Sequence, residues 1–279
     1  MNINWFPGHM VKAIRSMQSN LEIVDSVIYI LDSRAIKSCM NPILNDICKG
    51  KEILYLLNKI DLVEESDINK WEKYFKEKKL NYLKCVGTQV NPETVIQKLK
   101  AINQNKIQNA KAKGINYNLK AMVVGIPNSG KSSIINSIAK RCKTFVGNKA
   151  SITRGVQWIN IDNIYLLDTP GTLWGKIQDQ QVARNLAFIG SINDDIIDFY
   201  ELALNFLNDH SSKIINNIRD KYNLSDISTD FKDLITDIAE HFNYKLKGNN
   251  LDLDRTTKKI ITDFRQGLLG KIMLDKLNE

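Results

Sequence analysis

The segment that most constrains the fold is Gly125-Ile126-Pro127-Asn128-Ser129-Gly130-Lys131-Ser132, which follows the apolar run Ala121–Gly125 and leads into an amphipathic stretch. It fits the pattern G-x-x-x-x-G-K-[ST]. Glycines let backbone N–H groups close around phosphate oxygens, the lysine neutralises the β- and γ-phosphates, and the next hydroxyl can ligate Mg2+. Such a loop belongs at the carboxyl end of a strand that feeds a helix, so the chain needs a sheet covered by helices.

The rest of the first half supplies that sheet. Ser26–Leu31, Ile53–Leu57, Tyr82–Val86 and Ala121–Gly125 are nearly continuous apolar runs, as expected of parallel strands buried on both faces. Asp67–Lys79 and Pro92–Ile102 read as amphipathic helices, and Asn103–Asn118 as a polar connector. Val156–Ile161, an Asp162-Asn163 turn and Ile164–Leu167 predict a hairpin. After about Gly175 the spacing becomes helical, as in Leu234, Ile238 and Phe242, or Ile260, Phe264 and Leu268. The expected architecture is α/β: a doubly wound, mostly parallel sheet over residues 1–178 with an N-terminal arm at 1–20, then an all-helical domain over 179–279.

Asn58-Lys59-Ile60-Asp61 directly follows a strand, where a base-reading loop belongs. A carboxylate at Asp61 can accept two hydrogen bonds from guanine, and adenine offers no such donor pair. A solvated polar turn is the alternative for this tetrapeptide taken alone. Asp168-Thr169-Pro170-Gly171 follows the hairpin; Asp168 can hold Mg2+ through water and the Gly171 N–H can sense a γ-phosphate. Thr153 either completes the Mg2+ shell or is an ordinary loop threonine. Nucleotide contacts are expected from Asn58, Lys59, Asp61, Asn128, Ser129, Gly130, Lys131, Ser132, Ser133, Thr153 and Gly171, and Mg2+ ligation from Ser132, Thr153 and Asp168. The order is permuted, because the base-reading motif precedes the phosphate loop. A site at one sheet edge survives such relocation of the chain ends.

For hydrolysis, Thr172 stands where a Ras-type enzyme has its water-orienting glutamine. Two substitutes are visible. His9, in Trp5-Phe6-Pro7-Gly8-His9-Met10, either orients water or is a surface residue of a packing arm. Asn128 either helps bind K+ beside the phosphates or is an ordinary loop residue.

Net charge is +8 with a pI of about 9.1, which favours polyanions, nucleic acid first. No apolar run reaches the roughly 18 residues a spanning helix needs, and MNINWFPGHM lacks a signal-peptide layout. A cytoplasmic protein is therefore expected. Cys39, Cys48, Cys85 and Cys142 are scattered without a C-x-x-C pair, which predicts reduced, packed thiols.

Together these residues resemble the ribosome biogenesis GTPase A family, the YlqF-type circularly permuted GTPases. The resemblance is carried by Trp5–Met10, Asp32-Ser33-Arg34 with Asn41-Pro42, Asn58–Asp61, Gly125–Ser132, Thr153-Arg154-Gly155 and Asp168–Gly171. It continues through Leu251-Asp252-Leu253-Asp254 and Asp263–Lys271. It implies a permuted P-loop GTPase domain joined to a helical RNA- or ribosome-binding domain, acting on the large (50S) subunit and its rRNA. It further implies subunit-stimulated GTP hydrolysis, K+ dependence, a catalytic role for His9 beside Lys131 and Thr153, and a monomer. Cys85 and Val86 fall in the loop that supports the base, although Cys85-Val86-Gly87 departs from the family's Ser-Ala pattern. The family's Pro-Gly before Thr153 is also missing. Arg255, Lys258, Lys259, Arg265 and Lys271 are the candidate RNA contacts.

Overall fold

The computed structural model describes residues 7–141, 157–161, 163–175 and 177–277. They form two compact units, one of the described residues up to 175 together with 275–277, the other of 177–274. The first is built on six strands: β1 (Ser26–Asp32), β2 (Glu52–Asn58), β3 (Asn81–Lys84), β4 (Leu119–Gly125), β5 (Gln157–Ile161) and β6 (Ile164–Asp168). Their order is β3-β2-β1-β4-β6-β5. All are parallel except β5, which pairs antiparallel with β6. Every residue of β1 is buried, with no alternation, because both faces of the sheet are covered. The register sets Asp32 opposite Asn58 and Ile30 opposite Gly125. The ends of β2 and β4, far apart in sequence, thus flank the end of β1.

The helices of this unit are α1 (Gly8–Leu21), α2 (Ile36–Cys39), α3 (Pro42–Ile47), α4 (Glu65–Glu77), α5 (Pro92–Ile102), α6 (Gln104–Ala112) and α7 (Lys131–Arg141). Asn41 and Asn91 cap α3 and α5, accepting from the Ile43 and Glu93 N–H groups, and each is followed by the proline a first helical position tolerates. α4 ends two residues earlier than the sequence predicts. Lys79 turns left-handed at φ 53°, and the Leu80 N–H closes back on the Phe75 carbonyl at 2.9 Å. The predicted connector 103–118 is largely helical, because its Lys/Asn/Gln run holds no breaker before Gly114, where φ reaches 70°. β3 is shorter than predicted, since the chain turns at Cys85, whose carbonyl accepts from the Ile60 N–H at 3.5 Å.

The second unit comprises α8 (Gln180–Phe188), α9 (Phe199–Tyr222), α10 (Phe231–His241) and α11 (Leu253–Arg265). Asp179, Asp198, Asp230 and Asp252 cap all four helices, each carboxylate accepting from N–H groups of the first turn. One departure from an all-helical unit is an antiparallel bridge between Lys245 and Leu251. The predicted Leu268 position of the α11 stripe lies past the helix and is exposed. Gly267 takes φ 77° there and the Leu268 N–H bonds back to the Asp263 carbonyl at 2.8 Å. Phe188, Phe206 and Phe264 form the aromatic centre, with ring centroids 5.3 Å and 4.6 Å from Phe206. No helix among the described residues is long and apolar enough to cross a membrane.

Phe206 is fully buried between two other rings. Phe206→Ala is expected to destabilise the helical unit by about 3–5 kcal/mol, read as an earlier urea transition in far-UV circular dichroism.

Candidate nucleotide site

The phosphate loop runs from the end of β4 into α7, and its lysine is turned inward. Lys131 is 7% exposed, and its Nζ donates to the Gly125 and Ile126 carbonyls at 3.1 and 2.8 Å. Burial lowers its pKa to about 8, against an opposing pull from Asp168. The half-buried Asp168 is raised by burial, opposed by Lys131 and by the Thr169 N–H. An ammonium and a carboxylate thus lie near enough to feel each other in a partly desolvated setting.

The loop is closed from below and above. Ser129 Oγ donates to the Ile126 carbonyl at 2.9 Å. Gly130, at φ 96°, leaves the space where a Cβ would collide with the Asn58 amide. A Cβ on Gly171 would stand 2.8 Å from both Lys131 Nζ and Pro127 Cα, so only glycine lets the Asp168–Gly171 backbone pass this close. Thr169 Oγ1 donates to the Val123 carbonyl at 2.6 Å, and the Thr172 N–H to Gly125 at 3.3 Å. Ser132 and Ser133 are exposed in the first turn of α7, and Asn128 is exposed at φ 58°.

The base-reading loop is fastened to the phosphate loop. Asn58 Nδ2 donates to the Ser129 carbonyl at 2.8 Å, and Lys59 Nζ donates to the Asn128 carbonyl at the same distance. Asp61 is exposed within a 3-10 turn, Ile60–Leu62. Cys85 donates weakly to Asn58 Oδ1 at 3.8 Å, and a Cβ on Gly87 would lie 3.2 Å from that same oxygen. Cys85 and Gly87 therefore back the Asn58 side of the loop, despite their unfamiliar sequence. Cys39, Cys48 and Cys85 are buried thiols outside any disulfide, and burial pushes Cys48 and Cys85 up to about 12.

Several residues enter that sequence reasoning did not assign. Met10 Sδ accepts from the Leu173 N–H at 3.4 Å, which brings the start of α1 against the stretch following Gly171. His9, its neighbour, is exposed in the first turn of α1. Asn41 caps α3 with Oδ1 and with Nδ2 reaches the Thr172 carbonyl at 3.1 Å. An Asn-Pro pair announces the cap; nothing local announces the second contact. Asp32, Ser33 and Arg34 are buried behind Lys59, with Arg34 gripping Asp32. Thr153, with Arg154 and Gly155, lies outside the described residues, as does Cys142.

Among the described residues no cluster of three or more His, Cys, Asp or Glu side chains could hold a metal. Among the described residues the expected oxygen donors for Mg2+ are the Ser132 hydroxyl and the Asp168 carboxylate, hard donors that suit a cation keeping most of its water.

In the helical unit Arg265 is a brace: its guanidinium donates to Asp194 twice at 2.9 Å and to the Ala187 and Phe188 carbonyls at 2.9 and 3.1 Å. Lys259 pairs with Asp263 at 2.9 Å, and Lys258 with Asp254 at 2.9 Å. Arg255 lies over the Tyr244 ring, 4.0 Å from its centroid, and Lys271 is exposed.

Comparison with known proteins agrees with this geometry. Residues 120–242 match the family model described as 50S ribosome-binding GTPase. That match begins at the strand of the phosphate loop, where an unpermuted domain would begin. Ribosome biogenesis GTPase A of Priestia megaterium is 32% identical over 284 residues, covering 100% of this chain and 98% of that protein. Its counterpart in Bacillus cereus is 34% identical over 283 residues, covering 100% and 95%. Mitochondrial ribosome-associated GTPase 1 of Mus musculus is 30% identical, covering 98% and 90%. The crystal structure of GNP-bound YlqF from T. maritima superposes with a TM-score of 0.65 at 23% identity, over 95% of this chain and 98% of that one, a likeness of fold. With 32–34% identity running the whole length of the chain, the protein belongs to the ribosome biogenesis GTPase A family and is a GTPase.

Proposed function

We propose that the chain uses GTP hydrolysis to drive late assembly of the large (50S) ribosomal subunit, holding rRNA in the GTP state and releasing the particle after hydrolysis. The observation that carries this reading is the way the stretch after Gly171 is held. The phosphate loop holds Thr172 from one side, Asn41 from another, and Met10 holds Leu173 beside it. A γ-phosphate that moved Gly171 would therefore disturb α1 and α3, surfaces a partner can sense.

In this reading Asp61 selects guanine, with Asn58 and Lys59 fixing its loop and Cys85 and Val86 backing it. Lys131 and the N–H groups of Asn128, Ser129, Gly130, Ser132 and Ser133 hold the phosphates. Mg2+ held by Ser132 and Asp168, completed by Thr153, would neutralise charge on the transferred phosphate. K+ at Asn128 would add to that neutralisation. His9 orients the attacking water, since Thr172 can accept or donate a hydrogen bond but carries no amide in the glutamine's place. The protein acts as a cytoplasmic monomer.

Residues 179–279 serve as the helical ribosome-binding domain, with Arg255, Lys258 and Lys271 toward RNA. Their unit carries fifteen Asp and Glu against twelve Lys and Arg over 177–274, so the positive excess of the chain resides in the GTPase unit. Contact with rRNA phosphates is accordingly shared by both.

GTP turnover in K+ buffer should rise by about tenfold or more when purified large subunits are added, a barrier change of about 1.4 kcal/mol. Unchanged turnover, by protein shown to bind GTP, would remove the subunit from the reading. His9→Ala should keep nucleotide affinity while lowering stimulated turnover by about 10²–10⁴. Normal stimulated turnover would exclude His9 from the chemistry.

The lysine gives a separate test. Its folded pKa of about 8 lies below its ordinary value of 10.5, so its burial costs stability below pH 8. That cost disappears as pH rises toward its ordinary value. Bound phosphates favour the ammonium again. Nucleotide binding at about pH 9 should take up a substantial fraction of a proton, and at about pH 6.5 none from this group, as read by calorimetry in buffers of different ionisation heat.

A further inference from the structure

We propose that Asp32 and Arg34 are positioning residues of the nucleotide site, acting through Lys59 to fix the base-reading loop against the phosphate loop before nucleotide arrives. The inference rests on the reading of Asn58–Asp61 as the base-reading loop.

Asp32 ends the central strand and is fully buried, and Arg34 is 1% exposed. Arg34 Nε and Nη2 donate to the two carboxylate oxygens at 3.0 and 2.7 Å, and its own backbone N–H donates to Oδ1 at 3.1 Å. That grip turns Oδ2 toward Lys59, whose Nζ lies 2.8 Å away. Burial alone would raise the Asp32 pKa; the two cations outweigh it and bring it to about 2, so the carboxylate stays ionised.

Lys59 Nζ is therefore pinned between two oxygens, one on Asp32 and one on the Asn128 carbonyl. The residues at the two ends of that second bond are both left-handed, Lys59 at φ 61° and Asn128 at φ 58°. Such backbones are unfavourable for residues with a Cβ and persist where the surroundings over-determine them. Asn58 makes the parallel link to the next carbonyl, on Ser129. Two adjacent residues of one loop thus hold two adjacent carbonyls of the other.

Stability does not account for this arrangement. A buried ion cluster is often replaceable by apolar side chains at no loss of stability. A lysine stem has several rotors, and without Asp32 its Nζ would sample many positions. What the buried pair supplies is a fixed spacing between the carboxylate that reads the base and the amides that hold the phosphates. Fixing that spacing in advance removes an ordering cost from binding.

The test is a double-mutant cycle on affinity for a fluorescent GDP. The pair Asp32→Leu with Arg34→Met removes both buried charges while roughly keeping volume. It is expected to fold by circular dichroism, to weaken GDP about tenfold, and to narrow the preference for GDP over ADP, which a purely structural role would leave unchanged. Added to Lys59→Ala, the pair should produce no further loss. Wild-type GDP affinity in the folded pair, or additive losses with Lys59→Ala, would overturn the proposal. Should the apolar pair not fold, Asp32→Asn with Arg34→Gln carries the same comparison without charge. Asp61→Asn separates the two levels of inference. If it fails to shift preference from guanine toward xanthine, the loop reading itself fails; if it shifts while the pair is inert, only the positioning role fails.

Discussion

The nucleotide site depends on β1 pairing in parallel with β2 on one side and β4 on the other. Parallel strands deliver their carboxyl ends, and the loops after them, to one edge of the sheet. β2 delivers the loop proposed to read the base, β4 the loop proposed to hold phosphates, and β6, beside β4, delivers Asp168. No step in this arrangement requires the phosphate loop to come first. The chain can therefore build the base-reading half, cross through α5 and α6, and build the phosphate half second.

The same edge concentrates buried charge. Lys131 sits inside, donating to the Gly125 and Ile126 carbonyls, and Asp32, Arg34 and Lys59 form a second ionic group, tied by Lys59 to the Asn128 carbonyl of the same phosphate loop. Desolvated charges of this kind oppose folding. They are placed where an incoming polyphosphate would neutralise the net positive excess, so ligand binding and local stability are coupled. Gly130 and Gly171 serve the same compression: each stands where one extra carbon would strike Asn58 or Lys131.

Much of this was legible in the sequence, for local reasons. Strands buried on both faces read as unbroken apolar runs, and β1, β2 and β4 lie where those runs do. The phosphate and base-reading motifs are readable at fixed spacing because each is made by neighbouring residues of one short loop. What escaped was tertiary. Nothing beside Met10 or Asn41 in the chain points to Leu173 or Thr172, and the roles of Asp32 and Arg34 appear only when Lys59 is folded over them. α6 escaped for a different reason, since a Lys/Asn-rich run reads alike as solvated coil and solvated helix. Arg265 shows the limit most clearly: helical spacing puts it in line with Lys258, yet its planar fork meets the Asp194 carboxylate and two carbonyls inside the unit.

Charge distribution follows from the same distinction between composition and position. Each helix of the second unit starts on an aspartate that caps its N–H groups, and further carboxylates at Glu201, Asp233 and Asp254 lie in first turns. Those acids answer to helix ends and to the helix dipole, whatever the unit binds. They make the unit net acidic even though the whole chain is basic. A net charge of +8 therefore says that a polyanion is a suitable partner without saying which unit meets it. The cations that can reach a phosphate in the helical unit are the ones its own carboxylates and carbonyls leave exposed. Arg255 stacked on Tyr244 is one: its charge faces an aromatic ring in place of a carboxylate, the pairing that single-stranded nucleic acid can extend by stacking.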